Sequence, residues 1–104
     1  MAYRVIFRPR ATRNLNAIAD YIAKDNRRRA DTFATEVENA CLNLGTFPLS
    51  GRARNDLEPG LRILSHRRQV TIVYRVERDR VLILNIFKAG QDCEAIIRRG
   101  VHKP

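Results

Sequence analysis

Few side chains in this sequence are of types that carry out chemistry, and they are scattered. His66 and His102 are its two histidines, and neither lies near an obvious nucleophile. Ser50 and Ser65 lack the strand–turn–helix context of a nucleophile elbow. The two cysteines stand far apart and outside any Cys/His cluster, which argues against a zinc site and a disulfide framework. The sequence therefore predicts no catalytic residue, no metal ligand and no cofactor.

One metal-free reaction remains open, because the chain is strongly basic. RNA can be cut when cationic side chains stabilise the charge that develops on the phosphate and a nearby group accepts the 2′-hydroxyl proton. The 104 residues include 20 Lys and Arg against 11 Asp and Glu, a formal net charge of +9, and residues 61–104 carry most of the excess. A domain this basic expects an acidic partner, either nucleic acid or an acidic protein segment.

The N-terminal part of the chain is patterned as a strand followed by a helix. Residues 3–8 place Tyr3, Val5 and Phe7 on one face and Arg4 and Arg8, around Ile6, on the other, as in a strand with one buried face. Pro9 then fits the first turn of a helix. Apolar residues recur after it at helical spacing, at Ala11, Leu15, Ile18 and Ile22.

A second helix is indicated by a continuous apolar stripe over residues 30–44. Asp25 or Asn26 is suited to cap its start, and Gly45 is expected to end it. The stripe includes Cys41, which is expected to be a buried structural thiol. Two amphipathic helices with a very short link form a helical hairpin, and each needs a surface to cover.

Three β-rich runs supply that surface: Leu61–His66, Val70–Val76 and Val81–Lys88. Arg78-Asp79 is the expected hairpin turn between the last two runs, and the last run is apolar on both faces, as in a central strand. The order is β-α-α-β-β-β, followed by a tail that can form a helical turn. We expect one α+β domain over residues 1–104, with the helical hairpin packed on a small, mostly antiparallel sheet.

Several side chains in the β half have a structural interpretation beside a functional one. Tyr74 shares a strand face with apolar residues and is expected in the core. Arg62 is expected either to contact a partner or to pair with Asp56 or Glu58. Arg67-Arg68 fits the tip of a β-turn.

Short motifs in this half resemble those of ParE toxins, in the ParE/RelE superfamily of type II toxin–antitoxin systems. They are Gly51-Arg52, Pro59-Gly60-Leu61-Arg62, Tyr74-Arg75-Val76 and the closing segment Lys88-Ala89-Gly90-Gln91-Asp92. The resemblance extends over nearly the whole chain. It implies a ParE/RelE-like fold and a bacterial toxin that poisons DNA gyrase, without an active site of its own.

The RelE branch of the same superfamily implies a different activity, ribosome-dependent cleavage of mRNA. Arg52 and Arg54 stand where that branch carries loop lysines, and His66 stands near one of its strand arginines. Gln91 and Ile97, however, replace the arginine and the terminal tyrosine of that branch. The ParE interpretation is therefore preferred. A third alternative is a non-toxic basic module that binds nucleic acid directly.

The resemblance also implies partners and contact residues. The expected partner is a ParD-like antitoxin whose acidic C-terminal segment folds onto the toxin in a hetero-oligomer. Its predicted contacts are Leu15, Ile22, Phe33 and Val37. The predicted contacts to the target are Arg62, His66, Lys88, Gln91, Asp92, Arg98 and Arg99.

The remaining expectations concern location and the C-terminal tail. Since the sequence has neither a signal peptide nor an apolar run of membrane-spanning length, we expect a cytoplasmic protein. The core is expected to close by Phe87, so deletion from Asp92 onward should remove toxicity but leave a folded domain. Removing the charge of Arg62, Lys88 or Arg98 should weaken toxicity with little loss of stability.

Overall fold

The computed structural model describes residues 2–100. A first strand and two helices come first: β1 (Arg4–Phe7), α1 (Pro9–Ala23) and α2 (Arg27–Asn43). The strands that follow are β2 (Arg52–Ala53), β3 (Leu61–His66), β4 (Val70–Glu77) and β5 (Arg80–Lys88), and a short helix, α3 (Cys93–Arg98), comes last. The predicted order β-α-α-β-β-β is confirmed, with the two-residue strand β2 added before β3.

The five strands form one mixed sheet in the order β1-β5-β4-β3-β2. β1 lies parallel to β5, and the other neighbouring pairs are antiparallel. The prediction that the last strand is central is confirmed, because β5 lies between β1 and β4. Its seven residues from Val81 to Phe87 are all buried, as expected for a strand covered on both faces.

The helical hairpin covers one face of this sheet. Leu15 of α1 and Val37 of α2 pack with Ile72 of β4 and Ile83 of β5 in the larger of two apolar clusters. The periodic stripes of both helices are thus satisfied within the chain. Tyr74 is fully buried in the same cluster, so its predicted place in the core is confirmed.

The opposite face of the sheet carries a second apolar cluster, which α3 helps to cover. Ile97 of α3 is only 2% exposed and packs there with Leu61, Val73 and Phe87. The expectation that the core closes by Phe87 is therefore wrong. The apolar residues of β5 that point away from the hairpin need α3 over them, so the tail is part of the fold.

Two asparagines join α1 to the sheet through the core. Asn85 is 1% exposed, and its Nδ2 donates to Oδ1 of Asn14, 3.1 Å away. The backbone N–H of Ile86 donates to the same oxygen, also over 3.1 Å. The register of β4 against β5 shifts nearby, between Val73 and Tyr74. The buried amide of Asn85 is thus paired through Nδ2, while its Oδ1 accepts no hydrogen bond within residues 2–100.

The start of α2 is capped as the sequence predicts, but the glycine after its end has a different role from the one expected. Asn26 caps the start as predicted, because its Oδ1 accepts from the N–H of Arg29 over 3.0 Å. Gly45, expected to end the helix by its conformational freedom, does not adopt a positive φ. Its role is to allow close approach, since an added Cβ would lie 2.6 Å from the carbonyl oxygen of Tyr3.

The two hairpin turns are where the sequence placed them. Arg67 and Arg68 connect β3 to β4 with φ angles of 51° and 58°, and Arg78 begins the β4–β5 turn with a φ of 55°. Positive φ values at both Arg67 and Arg68 are those of a type I′ turn, within a three-residue connection, whereas in the two-residue β4–β5 turn only Arg78 has a positive φ.

Candidate protein-binding surfaces

A groove opens where the tips of the helical hairpin meet the β3–β4 turn and the end of β5. We call it the basic groove. Its apolar floor consists of Ile18, Ile22 and the accessible edge of Phe33. Cations border it from three elements: Arg29 on α2, Arg67 and Arg68 in the turn, and Lys88 at the end of β5. An apolar floor between cationic borders suits an amphipathic, acidic segment.

Tyr21 forms one wall of the basic groove and is 62% exposed. The ammonium nitrogen of Lys88 lies 4.9 Å from the centre of its ring, and that of Lys24 lies 5.9 Å away. Both distances are within the range of a cation–π interaction. The contact holds a positive charge beside an exposed aromatic ring.

The turn at the groove is tied to the helical hairpin by an ion pair. Nη1 of Arg67 lies 3.1 Å from Oε2 of Glu36 on α2. The Arg67 side chain keeps 65% of its exposure, so the pair is solvent-facing and contributes little to stability. The pair partly neutralises the charge of Arg67, so Arg29, Arg68 and Lys88 make the electrostatic potential of the groove positive.

The four predicted antitoxin contacts do not share a surface. Leu15, Phe33 and Val37 are 5%, 8% and 0% exposed, because they attach the helices to the sheet. Their assignment as a contact surface is corrected to a core role, apart from the edge of Phe33 at the groove floor. Ile22 is partly buried and lines the basic groove, where it remains accessible to a partner.

The predicted target contacts are divided between the two faces of the sheet. His66 is paired with Val70, which is in turn paired with Lys88, so the three lie in one row at the groove end. Arg98 and Arg99 are exposed at the C-terminal end of α3, which covers the opposite face. A single flat partner surface therefore cannot cover all seven residues.

Arg62 lies on β3, and its side chain is directed at the backbone of Leu49 and Gly51. Its Nη1 donates to the carbonyl oxygen of Gly51 over 2.7 Å and, with a longer 3.4 Å contact, to that of Leu49. The carboxylate of Asp56 is held by Arg54, and Oε1 of Glu58 lies 3.2 Å from Nη2 of Arg75. Because the Arg62 guanidinium bonds to backbone carbonyls, we expect its removal to cost stability, in contrast to the small loss expected from the sequence.

Gln91 and Asp92 shape the connection between β5 and α3. Oε1 of Gln91 accepts from the backbone N–H of Lys88 over 2.7 Å. Oδ1 of Asp92 accepts from the N–H of Ala95 over 3.1 Å and caps α3. Both side chains are exposed, and both have a local structural function.

Arg54 links the loop before β3 to α3. Its Nε and Nη2 donate to the two carboxylate oxygens of Asp56 over 2.9 and 2.8 Å, and its Nη1 lies 2.8 Å from Oε1 of Glu94. The hydrogen bonds from Arg54 lower the pKa of Asp56 from 3.8 to about 2. An arginine fork between two carboxylates fixes orientation as well as charge.

A further feature, missed by sequence reasoning, is the segment 46–51 after α2. The hydroxyl of Tyr74 donates to the carbonyl oxygen of Pro48 and accepts from the N–H of Gly51, each over 2.8 Å. Burial raises the pKa of this hydroxyl, which keeps it protonated and able to donate. Phe47 and Leu49 protrude from the segment and are 59% and 67% exposed.

Neither a metal-ligand cluster nor a membrane-spanning helix occurs in the part of the chain that the structure describes. Among residues 2–100, no three His, Cys, Asp or Glu side chains come together in a way that could hold a metal ion. Over the same described range, none of the helices has the length and apolar character needed to cross a membrane.

Comparison with protein families identifies the class of protein. A family model described as the ParE toxin of the type II toxin–antitoxin system parDE matches residues 5–93. The chain therefore belongs to the ParE toxin family. Comparison with curated proteins gives no match.

This ParE-family chain also shares its fold with a solved structure described as the chromosomal ParDE TA system from P. aeruginosa. The TM-score is 0.72 at 22% sequence identity, and the match covers 85% of this chain and 97% of that chain. At that identity the similarity concerns the fold. The α+β, ParE/RelE-like architecture expected from the sequence is confirmed.

Some motif residues that suggested the ParE family prove to be structural. Gly51 and Tyr74 belong to two separate motifs and are joined by a hydrogen bond in the structure. Arg62 of a third motif donates to the same short segment. The sequence shows that the three residues occur together, but no spacing rule predicts that they are in contact.

Proposed function

We propose that this ParE-family toxin inhibits bacterial DNA gyrase by trapping the enzyme on cleaved DNA, and that it acts as a binding module without an active site. The observation that carries the proposal is the family match over residues 5–93. The proposal implies a cytoplasmic location, because gyrase and its DNA are found there.

The surroundings of two residues support inhibition by binding over RNA cleavage. Ile97 stands where the RelE branch carries a terminal tyrosine, and its side chain is 2% exposed in the second apolar cluster. Gln91 stands where that branch carries an arginine, and its Oε1 bonds to the backbone of its own turn. Neither residue supplies a charge or hydroxyl to a scissile phosphate, which weakens the case for transition-state stabilisation.

The decisive experiment compares two targets with one preparation of toxin. We expect the purified chain to make gyrase accumulate cleaved DNA, and to leave mRNA on translating ribosomes intact. Cut mRNA with unaffected gyrase would establish the RelE-like alternative. Direct binding of DNA or RNA with a steep salt dependence, and no inhibition of growth, would establish the non-toxic nucleic-acid binder.

We further propose that a ParD-like antitoxin neutralises this toxin by placing an acidic amphipathic segment in the basic groove. The groove offers Ile18 and Ile22 to the apolar side of such a segment and Arg29, Arg68 and Lys88 to its carboxylates. A segment that orders on binding can cover a large area, although ordering reduces its affinity. The expected product is a hetero-oligomer of toxin and antitoxin.

Substitution at the groove tests the antitoxin site. Lys88→Gln removes a cation and its contact with Tyr21, and we expect weaker binding of the isolated antitoxin C-terminal segment, with a smaller salt dependence. Arg78→Gln is the matched control, because Arg78 is exposed at the β4–β5 turn, away from the groove. Equal loss with both variants would indicate a general charge effect, and binding only by the antitoxin N-terminal domain would contradict the proposal.

For contacts to the target, we retain Arg98 and Arg99 as proposals, because both are exposed at the C-terminal end of α3. Lys88 and His66 lie at the end occupied by the proposed antitoxin site, while Arg62, Gln91 and Asp92 bond within the chain. We expect Arg98→Gln to weaken toxicity without lowering the melting temperature. Retained toxicity in this variant and in Arg99→Gln would remove both residues from the target interface.

A further inference from the structure

Two exposed large apolar side chains of this protein lie close together in one loop. Within residues 2–100 four such residues are strongly exposed, and two of them, Phe47 and Leu49, are separated only by Pro48. Single exposed apolar residues are ordinary on protein surfaces, but adjacent ones in a loop suggest an interface. Phe47 and Leu49 belong to the segment from Thr46 to Ser50, which we call the 46–50 loop.

Hydrogen bonds from Tyr74, Arg62 and Ser50 fix the backbone of the 46–50 loop. The Tyr74 hydroxyl bonds to the carbonyl oxygen of Pro48, and Nη1 of Arg62 approaches the carbonyl oxygen of Leu49 to 3.4 Å. The Ser50 hydroxyl donates to the carbonyl oxygen of Phe47 over 2.6 Å, which closes the turn. A loop fixed in this way keeps Phe47 and Leu49 exposed, and it loses little conformational entropy on binding.

The charge around the loop is positive. No acidic residue occurs between Glu38 and Asp56, and Arg52 follows the loop directly, while the charge of Arg54 is offset by Asp56 and Glu94. Arg52 is exposed on the edge strand β2. The complementary partner therefore has an apolar pocket with acidic side chains at its rim.

The position of the loop separates it from the basic groove. Arg29 borders the groove near the start of α2, whereas the loop follows the end of that helix at Asn43. At 1.5 Å per residue, the intervening helix spans about 20 Å. A segment bound in the groove and a protein bound at the loop can therefore occupy the chain through different surfaces.

We propose that the 46–50 loop is a preformed docking ridge for the folded protein target of this toxin, which receives Phe47 and Leu49 in an acid-rimmed apolar pocket. The inference rests on the proposed function, since it requires a protein target, and it adds the surface that meets that target. A standard interface covers ~800 Å² on each partner, so a five-residue loop serves as the anchor of a larger contact.

Other occupants fit the loop less well. A disordered acidic segment needs an extended groove to cover, whereas the five residues of the loop line only a shallow hollow. In a second copy of this chain, the basic groove would repel Arg52 beside the loop. The proposal therefore commits to a separate folded protein, and the alternatives are distinguishable by experiment.

The test uses the double substitution Phe47→Ser with Leu49→Ser in the full chain. Leu42→Ser is the matched control, because Leu42 is 53% exposed on α2 but lies outside the 46–50 loop. Four properties are measured for each protein: growth inhibition, accumulation of cleaved DNA by gyrase, antitoxin binding and melting temperature. For the double variant we expect at least a tenfold rise in the concentration that traps gyrase, with antitoxin binding and melting temperature unchanged.

Each other result contradicts a specific part of the proposal. Full activity of a folded double variant would overturn the docking ridge, and loss of antitoxin binding would assign the loop to the antitoxin. Conversion of a wild-type dimer to a monomer would assign it to a second copy. If the double variant unfolds, Arg52→Glu tests the surface through its charge, and full toxicity of that variant overturns the proposal.

The wild-type controls separate this inference from the proposed function. If the wild-type chain inhibits growth but leaves gyrase unaffected, gyrase is the wrong target, and the growth assay still tests the loop. If the wild-type chain does not inhibit growth, both proposals are contradicted.

Discussion

The backbone N–H of Gly51 donates to the hydroxyl oxygen of Tyr74 over 2.8 Å, and a Cβ added to Gly51 would lie 2.6 Å from that same oxygen. The hydrogen bond thus brings the backbone of one residue against the ring of the other, at a distance that leaves no room for a side chain. Gly51 is required here for close approach, and Tyr74 is required for its polar end as well as its volume.

Gly51→Ala should destabilise the protein. The new methyl group would meet both Oη and Cε1 of Tyr74, at 2.6 and 2.7 Å, and neither belongs to a flexible chain end. Overpacking of this kind costs about 1–3 kcal/mol in the free energy of unfolding, measurable by urea denaturation. Ala53→Ser, on the exposed strand β2, is the control and should change stability by less than ~0.5 kcal/mol.

Tyr74→Phe provides a second, coupled prediction. Removing the hydroxyl leaves the N–H of Gly51 and the carbonyl oxygen of Pro48 without this partner, at a cost of about 1–3 kcal/mol. Because the two substitutions share one contact, the double variant should lose less stability than the sum of the singles. Strict additivity would show that the two residues act independently.

Much of the fold was predictable because its strongest patterns are local. The spacing of Leu15 and Val37 on their helices predicts a stripe that must be covered, and the β runs predict a sheet to cover it. The same spacing does not say whether the covering surface is the chain's own sheet or a partner. Because of that ambiguity, the sequence predicts Leu15, Phe33 and Val37 as contacts to the antitoxin, whereas the structure buries them in the core.

The features that sequence reasoning missed all depend on long-range geometry. Asn14 and Asn85 bond across 71 positions, and Tyr74 reaches Pro48 across 26. Arg54 bonds to α3 only because the loop before β3 passes beside that helix. No period or propensity encodes such contacts, since each requires the fold to be assembled first.

Arg54 should hold α3 in place, and Arg54→Met tests this. The substitution removes the bonds to Asp56 and Glu94, so we expect faster amide hydrogen exchange throughout residues 93–98. Arg67→Met is the control, since it breaks a more exposed ion pair with Glu36 and should leave α3 protected. Unchanged exchange in the Arg54 variant would show that apolar packing alone holds α3.

The same network predicts acid sensitivity. Asp56 has its pKa lowered from 3.8 to about 2 in the folded protein, so its ionised form contributes stability above pH 3.8. That contribution is lost as the pH falls through about 2. The effect should be absent in Asp56→Asn, and an identical acid profile in both proteins would contradict it.

The buried thiol of Cys41 predicts that folding stability falls as the pH rises in the alkaline range. Burial, with a smaller effect of Glu38, raises the pKa of its thiol from 9.0 to about 12. Since the folded state binds this proton more tightly, stability is fully present below pH 9 and is lost as the pH rises through 12. The slope should reach at most ~1.4 kcal/mol per pH unit and should be shallower in Cys41→Ala. Equal slopes between pH 9 and 12 would rule out this linkage.

The last prediction concerns α3, whose burial changes what a truncation can reveal. Ile97 is 2% exposed against Leu82, Leu84 and Phe87, so Ile97→Ala should lower the free energy of unfolding by about 2–4 kcal/mol. Ile96→Ala is the matched control, because Ile96 is only partly buried and should cost less.

Deletion from Asp92 onward should destabilise the chain further, since it uncovers the whole second apolar cluster. Loss of toxicity in that truncation would therefore reflect loss of structure, and Arg98→Gln is the better probe of a contact made by α3. A truncated chain that retained the melting temperature of the full protein would show that the second cluster does not need α3.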